Sequence, residues 1–196
     1  MNYDYWRHFI RGWLLHFVGN SDGAYAAYAQ AAHLNPQSAA AARALGFLAA
    51  GAQRLAEAQH WYRETVRIAP DDAGSWFNLG YVLGESGQHE AALPAFHRAT
   101  ELRPELDRAW YGQGLSLAAL GRHAQAAEAF GEAARLQPMN GLAWYQLGMA
   151  HCRAGQDQEL EAAIRRLATF DPKTCRQLMR EAGRDDLLPL IADRLL

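Results

Sequence analysis

The chain has 196 residues, half of them apolar and a fifth charged, with a formal net charge of -2. That is enough chain for a sizeable core, and the charge gives no electrostatic reason to expect nucleic acid or an anionic membrane as main partner. Eighteen of the nineteen basic residues are arginine, Lys173 being the exception, and with abundant alanine this points to a GC-rich, bacterial genome.

The N-terminal MNYDYWRHFIRGWLLHFVGN is apolar in part, but Asp4, Arg7, His8 and Arg11 interrupt it. It does not resemble a signal peptide, and no run approaches the roughly 20 apolar residues of a membrane span. A cytoplasmic, reduced protein is expected. Trp6, Phe9, Ile10, Trp13 and Phe17 form an apolar stripe along this predicted helix, with Arg7, His8 and Arg11 on its other side. Three readings of the stripe stand side by side. It packs on the following unit in a shifted register, it meets a second subunit or a client, or it lies on a membrane surface, where two arginines make a modest basic face. Left exposed, it is an interaction site.

From here the sequence repeats. Prolines stand at 36, 70, 104, 138 and 172, and glycines at 12, 46, 80, 114 and 148, both with a step of thirty-four. A third column reads Tyr28, Tyr62, Phe96, Phe130, Ile164, a fourth Ala24, Ala58, Ala92, Ala126, Leu160, and Trp76, Trp110 and Trp144 form a fifth. In the third unit Trp76, Leu79, Gly80 and Leu83 share one face of a first helix. Gly87 ends that helix, Ala91, Ala92, Ala95, Phe96 and Ala99 line a second, and Pro104 stops it. Gly80 and Ala92 let the two backbones approach while Trp76 and Phe96 fill the space beside them. The predicted units are 5–38, 39–72, 73–106, 107–140 and 141–172 within an array over 1–172. Residues 173–196 are expected to form a helical cap, a helix ending near Gly183 and then a short segment, with Leu178, Met179, Leu187, Leu188 and Ile191 over the last unit.

The pattern W-x2-L-G-x2-Y/L, then G, A, F, A and P at this period, resembles the tetratricopeptide repeat. Units three and four match it best. The second has Ala42 in place of Trp and Gln53 in place of Gly; the first has His8 and Arg11 where apolar residues belong; the fifth has His151, Leu160 and Leu167 at departing positions. The resemblance implies an all-α fold, an α-solenoid of stacked antiparallel helix pairs wound into a right-handed superhelix. It further implies a concave groove faced by the first helices. The groove-facing columns then read Phe9, Arg43, Phe77, Tyr111, Tyr145 and Trp13, Phe47, Tyr81, Leu115, Met149, with Asn78 beside them. So aromatic a face suits a protein or peptide client; the competing reading is that the rings pack between neighbouring first helices. Family members that hold a C-terminal carboxylate use basic and Asn residues at positions matched here by Arg43, Asn78 and Arg108, while Phe47 and Gly112 stand at two others.

Catalytic chemistry is not visible. No phosphate loop, HExxH or GxSxG occurs. His89 and His123 lie one period apart and are one turn position written twice, while Glu128 and Glu132 read as a solvated face. Asp71–Asp72 and Asp185–Asp186 fall at predicted helix starts, where negative charge offsets the helix dipole. Cys152 and Cys175 fit no metal pattern and read as small apolar residues. The expectation is a non-catalytic interaction module without cofactor or metal, acting as assembly factor, chaperone or scaffold through the groove residues Arg43, Phe47, Phe77, Asn78, Tyr81, Arg108, Tyr111, Tyr145 and Met149. Trp6, Phe9, Trp13 and Phe17 are a possible second interface, for a homo-oligomer among others. A regulatory or docking subunit of an enzyme complex and a self-assembling structural protein are the alternatives.

Overall fold

The computed structural model describes residues 3–188, and the chain divides into two compact units, Met1–Arg103 and Pro104–Leu196. Among the described residues every regular element is a helix. Ile191, expected in the cap, lies outside them.

The first unit holds α1 (Tyr3–Phe17), α2 (Ser21–Leu34), α3 (Ala39–Gly51), α4 (Leu55–Ile68), α5 (Ala73–Glu85) and α6 (His89–Leu102). Each first helix pairs with the second that follows, and α2 and α4 also pack on the next first helix. The small-against-large rule is literal here. A Cβ added to Gly12, Gly46 or Gly80 would lie 2.9, 3.0 or 2.8 Å from the ring of Tyr28, Tyr62 or Phe96. Carbons do not approach so closely, so glycine is what lets the paired helix sit against the ring. Burial pushes the Tyr62 phenol up to about 12.

The turns within pairs repeat as well. Gly19 and Gly87 have φ of 81° and 73°, and Gln53, the residue without glycine in that column, is held at 58°. A side chain in this left-handed region costs about 1 kcal/mol or more relative to glycine. Gln53→Gly is therefore expected to raise stability by about 1 kcal/mol, read as a higher thermal midpoint; an unchanged or lower midpoint would contradict the strain.

The second pair compensates for its missing tryptophan. Ala42 stands in the tryptophan column, and Trp61 stands in the column occupied by Ala27, Ala95, Ala129 and Ala163. Ala42 and Trp61 line one hollow, as Trp110 and Ala129 do in the fourth pair. The indole has moved from the first helix to the second across the same space. Its new partners differ. Where Trp76, Trp110 and Trp144 donate their N–H to the carbonyls of Pro70, Pro104 and Pro138 at 2.8, 2.8 and 3.1 Å, Trp61 donates to Tyr25 Oη at 2.9 Å. Tyr25 in turn donates to Glu57 and lies under the Arg54 guanidinium.

The second unit holds α7 (Asp107–Ala119), α8 (His123–Leu136), α9 (Gly141–Ala154), α10 (Asp157–Ala168) and α11 (Pro172–Glu181), then a 3-10 turn, Asp185–Leu187. Helices α7 with α8 and α9 with α10 form pairs, and α8 packs on α9. Gly114 meets the Phe130 ring, but Gly148 meets Leu178 of α11. Leu178, Met179 and Leu187 are buried with Leu160, Ile164 and Leu167, so α11 and the turn cover the apolar side of the last pair. Leu188 remains exposed. Pro172 begins α11, with Asp171 capping it through the Thr174 N–H. Cys175 is fully buried in this cluster, its thiol pushed up to about 11 by burial.

Candidate functional site

In the first unit, three first helices contribute to one surface hollow of about 350 Å³: Phe9 and His16 from α1, Ala40, Arg43, Ala44 and Phe47 from α3, and Asn78 from α5. The geometry separates the two aromatic columns. Rings of the first column are half-buried against the second helix of their own pair, Phe9 on Tyr28 at 5.3 Å and Phe77 on Phe96 at 6.2 Å. Rings of the second column point outward: Phe47 is 56 % and Tyr81 49 % exposed. Tyr81 stacks on Phe77 at 6.4 Å, so the buried ring supports the open one.

Arg43 takes the place of a ring in the first column. Its Nη1 donates to Asp72 Oδ2 at 2.9 Å. Asp72 is the N-cap of α5, accepting from the Gly74 N–H and the Ser75 hydroxyl. Burial alone would raise the Asp72 carboxyl; the Ser75, Arg43 and Gly74 contacts together hold it below its ordinary value. A carboxylate arriving at Arg43 meets a guanidinium already engaged. His16, whose ring lies 5.6 Å from Phe47, was not singled out from sequence. It follows Phe9 by seven residues, two helical turns, so the spacing placed it on the same face.

In the second unit the expected residues are drawn more into packing. Tyr111 lies on Phe130 at 5.5 Å; burial raises its phenol, with a hydrogen bond to Gln146 acting the other way. Tyr145 donates to Glu181 of α11, and Met149 packs on the cluster that α11 closes. Leu115 stays exposed in the second column, and Arg108 is exposed on α7. Glu128 and Glu132 line a depression of about 510 Å³ with Trp110 and Gln113, and Glu132 also pairs with Arg135 at 2.9 Å. Gln113, where the second, third and fifth units carry leucine, keeps its Oε1 buried without a hydrogen bond. The Nδ1 atoms of His89 and His123, the repeated turn position, are likewise buried without partners.

The α1 stripe divides. Phe9 packs inward with the cluster of Tyr28, Leu45 and Leu48, while Trp6, Ile10, Trp13 and Phe17 are exposed. Among the described residues no helix is long and apolar enough to cross a membrane, and no three His, Cys, Asp or Glu gather as a metal site.

Helix pairs at a thirty-four-residue step, the first four closed by a glycine against a ring, define an all-α solenoid-class repeat protein. The sequence matches the tetratricopeptide repeat over residues 11–73, 77–133 and 113–173, and the chain belongs to that family. No curated protein sequence matches it significantly. Among solved structures it is similar to YrrB, described as a TPR protein with an unusual peptide-binding site, with 22 % identity, TM-score 0.79 and 90 % of each chain covered. It is also similar to MamA, with 21 % identity, TM-score 0.80, and 95 % of this chain and 98 % of that one covered. MamA from Desulfovibrio magneticus RS-1, beginning at its residue 41, aligns at 18 % identity and TM-score 0.78, covering 92 % of this chain and 98 % of that one. At these identities the likeness concerns the fold. A tetratricopeptide fold supports a protein–protein interaction module.

Proposed function

We propose that the chain binds a segment of a client polypeptide on the face formed by α1, α3 and α5, and that it catalyses no reaction there. The observation that carries this is the open second column. Phe47 and Tyr81 stand half exposed on a rigid helical frame, where solvent-facing positions ordinarily carry charge. Rings fixed in advance offer large contact area at little entropic cost. Between them Asn78 has both an amide donor and an acceptor, the pair that a client backbone needs. Arg43, paired with Asp72 at 2.9 Å, gives the hollow a polar edge. The client is an extended or helical segment with apolar side chains, and the chain serves as an assembly factor, chaperone or scaffold subunit. Peptide binding by YrrB, a protein of similar fold, is in keeping with this.

The test is the double variant Phe47→Ala/Tyr81→Ala in affinity capture from the native lysate. Because both rings are exposed, helical content should stay near wild type while the captured polypeptide is lost. Capture undiminished by the double variant would place the client elsewhere.

A further inference from the structure

Helix α1 carries a second surface, which shares only Trp13 with the groove-facing columns. Tyr3, Trp6, Ile10, Trp13 and Phe17 follow one another at steps of three, four, three and four. That is the seam spacing with which two helices interlock along their length. In a single chain this seam is open, its five residues between 44 and 79 % exposed, and Leu14 beside it is 51 % exposed. Sister positions in other first helices are small or polar: Trp6, Ile10 and Phe17 correspond to Ala40, Ala44 and Gly51 on α3 and to Gly74, Asn78 and Glu85 on α5. The packing rule of the repeat therefore does not ask for large apolar side chains at these three positions, whereas Trp13 corresponds to Phe47 and Tyr81.

We infer that α1 is the interface of a homodimer, pairing antiparallel with α1 of a second copy across a two-fold axis near Ile10. Taking about 200 Å² for each fully exposed large side chain, the seam and Leu14 present roughly 700 Å² per copy. This exceeds the largest apolar patch of a typical monomer, about 300–600 Å², and approaches the ~800 Å² per partner of a standard interface. No charge enters the seam: Arg7 is drawn to Asp4 on its own helix at 3.6 Å, and Arg11 lies off the line. Antiparallel pairing sets opposite ends of the helix dipoles together and places Arg7 of one copy about 9 Å along the axis from its mate, whereas parallel pairing would bring the two level. Self-complementarity is what a two-fold interface needs. The two readings are tested separately, since Phe47 and Tyr81 lie on α3 and α5 while Tyr3, Trp6, Ile10 and Phe17 of the seam belong to neither groove column.

Sedimentation equilibrium of the full chain, from micromolar to submillimolar concentration, should give twice the chain mass. Ile10→Asp, which sets two carboxylates near each other in an apolar seam, should weaken the dimer at least about 100-fold with unchanged circular dichroism. A second measurement fixes the geometry without depending on that variant. In a Cys152→Ser background, Ile10→Cys should be joined to its mate by a short bismaleimide, and Val18→Cys, about 24 Å from its mate along antiparallel helices, should not. A monomer at every concentration would overturn the proposal, as would larger open-ended oligomers. Cross-linking at both positions would also overturn it, because that indicates parallel helices.

Discussion

Trp61→Ala is expected to destabilise the chain by about 3 kcal/mol. The indole packs on the cluster of Ala24, Tyr28, Leu45 and Leu48, and its N–H bond to Tyr25 ties α4 to α2. Ala42→Trp alone is also expected to be harmful, by about 1–3 kcal/mol, because Ala42 is only 3 % exposed and Trp61 already occupies the shared space. Together the two substitutions restore the arrangement of the third, fourth and fifth pairs, with tryptophan on the first helix and alanine on the second. The double variant should therefore lose less than about 1.5 kcal/mol, well short of the sum, a coupling of about 2 kcal/mol or more between touching residues. Urea unfolding of the four proteins measures this. Simple additivity would show that Trp61 does not stand in for the missing column residue.

The second large effect sets two chemically identical substitutions against each other. Gly114→Ala should lower stability by about 2 kcal/mol, because its Cβ would sit 2.7 Å from the Phe130 ring and that ring is fully buried, with nowhere to retreat. Overpacking of this kind outweighs the helix propensity that alanine adds. Gly131→Ala, on α8 of the same unit, meets nothing closer than Leu147 at 4.0 Å and should gain up to about 1 kcal/mol. For a chain of this length the midpoints should part by roughly 6–12 °C. If both shift upward, the glycine column is a matter of composition and not of close approach.

These cases mark where the sequence was legible. Gly80 against Phe96 was legible in the sequence, because a residue without a side chain and a ring recurring at a fixed offset make one packing statement four times. Gly87 and Pro104 announced the helix ends for local conformational reasons. The exchange of Ala42 and Trp61 was half visible: the missing tryptophan was plain, but its replacement sits nineteen residues on, in a column otherwise filled by alanine. Which aromatic column is open was not legible at all. Phe77 and Tyr81 are four residues apart on one helix and both aromatic; the ring of Phe96 beside Phe77 separates them. Arg43 looked available for a ligand until Asp72, the cap of another helix, was found holding it. On α1 the stripe looked continuous, whereas Tyr28 draws Phe9 inward and leaves the residues flanking it outside.

The measurement that bears most directly on the functional account compares Phe47→Ala/Tyr81→Ala with Phe77→Ala, each assayed for client capture and for thermal midpoint. The account predicts that the double variant loses the client while melting close to wild type. Phe77→Ala should melt clearly lower, because its ring supports Tyr81 and fills space beside Phe96. Loss of stability in the double variant, with the client still bound, would contradict the account and make the outward column part of the packing.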